Sequence, residues 1–266
     1  VCAIGDVHGC TRLLRGLVGF LRSHVLEASR RNTVVTIGDY VDRGPSSLAA
    51  LDDVRALAIP GVEIVRLLGN HDFFLALIAG HEDVDAAFVE AWLDVGGETT
   101  FREMGLDRED VHRSGVSALR QRIRSILPEG MPAFLSSLAP HHRVGDYLFV
   151  HAGLDPAAPL AQHDVSDLVM MREPFLSGTG WAHDFTVVHG HTIRGHEALP
   201  HRIAIDTGAF RTGVLSAVHL EGDRMRWLAV TAADSLDALA PLRTTAEIPL
   251  PYEGAVILGE DQEGAR

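Results

Sequence analysis

Apolar positions along the first quarter of the chain switch repeatedly between two periods. A short run at Cys2-Ala3-Ile4-Gly5 predicts a buried strand, and after a polar break Leu13, Leu14, Leu17, Val18, Leu21 and Val25 recur at helical spacing. These positions predict a helix from Thr11 to about Ala28, with Thr11 as its cap. Thr33 to Ile37 is a β-branched run and predicts a second strand. Pro45 is well placed to open another helix, whose stripe of Leu48, Leu51, Val54, Leu57 and Ala58 stops at Pro60-Gly61. Val62 to Leu68 then alternates weakly as a third strand. Strand-helix-strand repeats of this kind predict an α/β chain with parallel pairing.

Residues 73 to 140 lose the strand pattern altogether. Phe73 to Ile78, Val84 to Leu93 and Val116 to Leu127 predict helices, followed by a Pro-bounded segment from Pro128 to Pro140. Strand patterns return at Tyr147 to Val150 and Phe185 to Val188. Val214 to His219 and Arg224 to Val230 alternate around Glu221-Gly222-Asp223, a hairpin signal that calls for a second sheet. From Ala232 the pattern dissolves. The expectation is one domain over 1–231 with a helical insertion at 73–140, then a partly ordered tail over 232–266.

Each of the first three strands ends in glycine followed by polar residues: G-D-V-H-G at Gly5 to Gly9, I-G-D-Y-V-D-R-G at Ile37 to Gly44, and G-N-H-D at Gly69 to Asp72. Loops at the carboxyl ends of strands are held by the sheet yet reach solvent, which suits chemistry. In extended backbone Asp6 and His8, two apart, would face one way, as two ligands to one ion must. Asn70 offers an oxygen to a hard cation, and His71, pointing elsewhere, is free for proton work.

Composition narrows the function. The 266 residues are 46% apolar with a mean hydropathy of +0.11, enough for one large core. No apolar run approaches the roughly 18 residues that span a bilayer, so no membrane association is expected. Cys2 and Cys10 are too few and too close for a disulfide framework, which fits a reducing cytoplasm. The net charge is −13, and all 23 basic residues are arginine. That balance argues against an extended nucleic-acid surface, and hence against a nuclease. It also requires a phosphate site to supply its own positive charge, from metal ions or clustered arginines.

Taken together, G-D-V-H-G, G-D-Y-V-D-R-G and G-N-H-D resemble the three signature motifs of the phosphoprotein phosphatase family of calcineurin-like binuclear metallophosphoesterases. His151-Ala152-Gly153 resembles the fourth motif, Gly190-His191-Thr192 the last metal-binding histidine, and Asp206-Thr207-Gly208 closes a likeness that covers roughly residues 1 to 220. The implied fold is two mixed β-sheets packed as a sandwich, flanked by helices, with a helical insertion beside the metals where substrate shape is read. The implied ligands are Asp6, His8 and Asp39 for one ion and Asp39, Asn70, His151 and His191 for the other. Carboxylates and imidazoles without thiolate suit two divalent ions, manganese first, with iron, zinc, cobalt or nickel as alternatives. Water between two such ions loses a proton near neutral pH and is the expected nucleophile. His71 is the expected acid for the leaving oxygen, and by resemblance Asp42 orients it. Arg43, with Asn70 and Arg172 of M-M-R-E-P-F, would hold the phosphate.

Two segments bear on the substrate. Trp92-Leu93, Gly96-Gly97 and Thr100 resemble a pattern of bacterial phosphoprotein-phosphatase-like proteins, and with Arg172-Glu173-Pro174-Phe175 they favour a serine/threonine protein phosphatase, with tyrosine phosphate as a further substrate, acting on a phosphorylated protein or small phosphoester. G-D-V-H-G-C, V-D-R-G-P, G-N-H-D and H-A-G are shared with diadenosine tetraphosphate hydrolases, the alternative reading. A third is a metal-binding interaction module without catalysis. The remaining histidines have plainer expectations: His189 in the core, and His141, His142, His196 and His201 at the surface. Cys10 is expected to be a small filler.

Overall fold

The computed structural model describes residues 1–231 except 28, 81, 82, 114 and 223, together with the backbone of 247–249 and 256–258. Strands β1 (Cys2–Ile4), β2 (Asn32–Thr36) and β3 (Val62–Arg66) pair in parallel, linked by helices α1 (Thr11–Phe20) and α2 (Ser47–Ala56). The insertion follows as α3 (Asn70–Gly80), α4 (Ala86–Trp92), α5 (Glu98–Glu103), α6 (Glu109–Arg113), α7 (Gly115–Ile126) and α8 (Met131–Ser136). Strands β4 (His141–Val144) and β5 (Tyr147–Val150), helix α9 (Val165–Met170), and strands β6 (Thr186–His189), β7 (His196–Leu199) and β8 (Arg202–Ala204) come next. After α10 (Ala209–Thr212), the hairpin β9 (Val214–Glu221) and β10 (Arg224–Thr231) returns to the first sheet. Two short strands, β11 (Glu247–Pro249) and β12 (Val256–Leu258), complete two six-stranded mixed sheets. Their orders are β11-β10-β9-β1-β2-β3 and β12-β7-β8-β6-β5-β4.

Strand alternation builds the layers. Cys2, Ile4 and Val34 turn outward into a core shared with α1, α2 and the insertion, whereas Ala3 and Val35 turn inward against Phe149, Val188 and Ile203 of the second sheet. Leu148 and Val150 face away from that interior and pack with Phe175 and Leu168. The strands β1, β2, β3, β5, β6 and β8 then deliver their carboxyl ends, and the loops after them, to one shared edge.

The sandwich agrees with the expectation, and several details correct it. Thr11 is the first helical residue rather than a cap, and α1 gives way after Phe20 to a π-helical turn over Leu21–Val25. Pro45 stands two residues ahead of α2. His141 and His142 lie half-buried in the edge strand β4, and His196, also half-buried, stacks on Trp227 at 4.7 Å. Within the tail, β11 and β12 pair with β10 and β7, and the rest of 232–266 lies outside the described residues. Among the described residues no helix is long and apolar enough to cross a membrane.

Candidate metal centre and active site

Among the described residues, five other than glycine have left-handed backbone, namely His8, Asp39, Asp42, Arg43 and His191, with φ between 42° and 73°. All five belong to the loops at the shared edge. Such conformations cost about 1–3 kcal/mol each and persist only where the surroundings impose them, so the fold concentrates its strain at this place. Part of the cause is close approach. A side chain on Gly69 would collide with the backbone nitrogen and carboxylate of Asp39, so the second and third loops can touch only through glycine.

Asp39 is the hub. Its Oδ2 lies 3.4 Å from His8 Nε2 and 3.9 Å from His71 Nε2, and its Oδ1 lies 3.3 Å from His151 Nε2. Asn70 Oδ1 is 3.1 Å from His151 Nε2 and 2.8 Å from His191 Nδ1. Two tight groups result, one of His8, Asp39 and His71 and one of Asp39, His151 and His191. The second brings together three of the four residues expected around one ion, with Asn70 beside them. In the first, His71 stands close where Asp6 was expected: one oxygen of Asp6 accepts the His191 N–H at 3.0 Å, and the other is buried without a partner. His8 sits in a left-handed turn rather than extended backbone, so the alternation argument for Asp6 and His8 does not hold.

The donor set fits a cation. His8 Nδ1–H donates to the Val41 carbonyl at 2.8 Å and His151 Nδ1–H to that of Ile37 at 3.1 Å, which turns both Nε2 lone pairs inward. Lone pairs of His151, Asn70 and Asp39 therefore face one another with no proton between them. Burial, against the pull of Asp39, drops His8 to about 3, and burial with His151 does the same to His191, so both rings are neutral ligands near pH 7. Burial opposes ionisation of Asp39, yet His151 and His71 hold its carboxyl well below the usual range. Asp6 is pushed well above that range by burial and by Asp206 and Asp39, and burial lifts Asp206 to about 6. Asp206 Oδ2 is buried and also unpartnered. A cluster of buried carboxylates and inward lone pairs is what a divalent ion neutralises, and imidazole with carboxylate suits a first-row ion.

Beside this cluster, His71 Nδ1–H donates to Asp42 Oδ2 at 2.7 Å, and its buried Nε2 has no hydrogen-bond partner among the described residues. Arg43 reaches His8 Nε2 at 3.0 Å, and Arg172 Nε reaches His191 Nε2 at 3.3 Å. Arg172 lies beyond the end of α9, in the loop that follows it. All ten predicted residues thus meet around one edge. Missed by sequence reasoning were the buried Asp206 as a further candidate ligand and Phe210, whose ring stands edge-on to His8 at 5.2 Å and under Arg43 at 5.3 Å. Asp206 was visible as the first residue of the D-T-G motif, but Phe210 carries no metal or phosphate chemistry to flag it. His189 is buried edge-on to Phe175, and burial raises the Cys10 thiol to about 11, far from a reactive thiolate.

Comparison with known proteins assigns the family. The calcineurin-like phosphoesterase profile matches residues 1–202. The chain belongs to this family. A symmetrical bis(5'-nucleosyl)-tetraphosphatase of Aromatoleum aromaticum is 33% identical over 159 residues, 59% of this chain and 45% of that protein. One of the same name from Nitrosospira multiformis is 27% identical over 206 residues, 75% and 62% of the two chains. The chain thus spans about half to two thirds of the length of these curated relatives. A hypothetical protein of Pyrococcus horikoshii OT3 shares the fold, with a TM-score of 0.51 at 10% identity over 87% of both chains. The names of the relatives correct one expectation. A serine/threonine protein phosphatase was favoured from Trp92 to Thr100 and from Arg172 to Phe175, but the curated relatives are tetraphosphatases.

Proposed function

We propose that this phosphoesterase hydrolyses dinucleoside tetraphosphates such as diadenosine tetraphosphate, splitting the chain of phosphates symmetrically into two nucleoside diphosphates. The observation that carries this reading is the shared name of the curated relatives, at 33% identity in one of them. The geometry is compatible with it. A tetraphosphate bears several negative charges, and on a chain of net charge −13 it needs local cations, which Arg43 and Arg172 on opposite flanks of the histidine cluster provide.

In this reading Asp6, His8, Asp39, Asn70, His151 and His191 hold two divalent ions, with Asp39 placed between the two groups and manganese the first candidate. When bound, such ions neutralise charge on the phosphoryl oxygens and lower the pKa of water. Arg43 and Arg172, with Asn70, hold non-bridging oxygens and fix the phosphorus for in-line attack. His71 presents Nε2 to the leaving oxygen while Nδ1–H stays on Asp42, so Asp42 sets which ring atom can deliver a proton. A phosphate leaves an anhydride more readily than an alkoxide leaves an ester, so His71 has less to do on a dinucleotide than on an alkyl phosphate. Residues 1–231 are taken as one catalytic domain with 73–140 inserted. Free Cys2 and Cys10 fit a cytoplasmic enzyme.

The test gives the manganese-supplied protein diadenosine tetraphosphate and a phosphoserine peptide in separate assays. The expected result is a higher kcat/KM for the dinucleotide, with adenosine diphosphate as its product. Preference for the peptide, or cleavage that yields adenosine monophosphate and triphosphate, would overturn the reading.

A further inference from the structure

Two buried side chains of the helical insertion end on the Asp42 carboxylate. Trp92, at the end of α4, donates from Nε1–H to Asp42 Oδ2 at 2.6 Å, the same oxygen that accepts His71 Nδ1–H. Thr100, in α5, donates from its hydroxyl to the other oxygen, and the Asp42 N–H donates in turn to Thr100 Oγ1 at 3.1 Å and Ser47 Oγ at 2.9 Å. Asp42, Trp92 and Thr100 are all fully buried.

The segment between them is shaped to make this possible. Gly97 lies against the indole of Trp92, 2.7 Å from where a Cβ would sit, so any side chain there would push the ring off Asp42. Phe101 closes edge-on to the same ring at 5.5 Å. The carbonyls of Gly96 and Val95 accept the backbone N–H and Nε–H of Arg43, each at 3.3 Å. One stretch of nine residues thus grips both Asp42 and Arg43.

A carboxylate left to itself turns almost freely about its last bond. Asp42 also sits on left-handed backbone, at φ 73°, which it would leave if nothing held it. With one oxygen pinned by Trp92 and the other by Thr100, the carboxylate has a single orientation, and His71 is held with Nε2 toward the centre. We infer that Trp92 and Thr100 are positioning residues for His71, acting through Asp42, so that the insertion assembles the proton donor of the site. This inference rests on the proton-donating role of His71 given above.

The test compares Trp92→Phe, which keeps a ring and removes the N–H, with Thr100→Val and Thr100→Ser, in the manganese-supplied protein. Substrates are an alkyl phosphate and a dinitrophenyl phosphate, so the outcome does not depend on the dinucleotide reading. Trp92→Phe and Thr100→Val should each lower kcat on the alkyl phosphate about 10- to 100-fold, as losses of such supporting partners do. KM and metal content should be unchanged, the dinitrophenyl ester should be affected less, and Thr100→Ser should retain activity. In an Asp42→Asn background the Trp92→Phe loss should disappear, because the two act as one unit. A loss that persists in that background, or equal losses on both esters, would overturn the inference. His71→Asn serves as the control: if it leaves the alkyl phosphate rate unchanged, the acid role itself has failed. A readout apart from activity is the His71 Nδ1–H proton resonance, expected downfield in the parent and shifted or lost in Trp92→Phe and Thr100→Val; an unmoved resonance would also overturn the inference.

Discussion

Removing divalent ions should unfold this protein at a distinctly lower temperature. Asp6, Asp39 and Asp206 are no more than 2% exposed, and one oxygen of Asp6 and one of Asp206 has no partner in the protein. In the metal-free native state burial opposes ionisation of all three and pushes Asp6 and Asp206 up, a cost that bound cations relieve, whereas the unfolded chain hydrates them. An ion present at 100 times its Kd stabilises the state that binds it by about 2.7 kcal/mol, so two ions contribute about 5 kcal/mol. For a domain of this size each kcal/mol moves Tm by about 2–4 °C, giving a shift of about 10–20 °C. Calorimetry at pH 7.5 with manganese and then with excess chelator measures it. Asp39→Asn, which removes the carboxylate common to both groups, should abolish most of the shift, and metal analysis should show occupancy falling with it. A Tm that moves by less than about 3 °C on chelation would refute the reasoning that these buried carboxylates form a cation site.

Three further outcomes are expected. His71→Asn should keep its metals and lose about 10²- to 10⁴-fold in turnover on an alkyl phosphate, with a much smaller loss on dinitrophenyl phosphate and on the dinucleotide; equal losses would remove the acid role. Arg43→Lys and Arg172→Ala should each lower kcat/KM about 10- to 100-fold, since a charged hydrogen bond is worth about 1.5–3 kcal/mol; unchanged values would show that the guanidinium does not touch substrate. Burial lowers His196 from 6.5 to about 4, so the native state resists its protonation and the unfolded chain does not. Its contribution to stability is whole above pH 6.5 and is lost as pH falls toward 4, amounting to about 2 kcal/mol by pH 5. Urea unfolding of the metal-free protein at pH 7 and pH 5 should show His196→Gln losing less stability than the parent over that interval.

Much of this architecture was legible because its strands are short and apolar, the first three followed by glycine and a ligand type and Tyr147–Val150 by His151 directly. Cys2–Ile4, Thr33–Ile37, Val62–Leu68 and Tyr147–Val150 were placed to within two residues. What escaped was short or polar. The strands β7 and β8 carry His196, Glu197 and Arg202, whose burial depends on the neighbouring sheet, and β4 opens on two histidines. The helices α5, α6 and α8 have five or six residues each, too few to show a period. The residues that meet at the shared edge could be picked out because metal chemistry restricts residue types so strongly. That His71 would stand nearer than Asp6 to the His8 group depends instead on a turn at His8 that no local pattern announces.

The mistaken preference for a protein phosphatase has a physical origin in the same structure. It rested on two segments taken as marks of substrate choice. Trp92 and Thr100 are buried on Asp42, and Gly96 and Val95 hold Arg43, so the first segment is committed to supporting the machinery. In the second, Phe175 is buried against His189 and Gly153, leaving no room for a side chain at Gly153, while Arg172 turns to His191. In the roles proposed for His71, Arg43 and Arg172, both segments would support groups that act on any phosphoryl centre, whatever is attached to it. Their presence therefore follows from the proton donor and the phosphate grip, and the choice between peptide and dinucleotide has to be made by side chains facing outward from the centre. Phe210 is one such side chain. It is half-buried, borders both His8 and Arg43, and lies in a helix of four residues that the metals do not need.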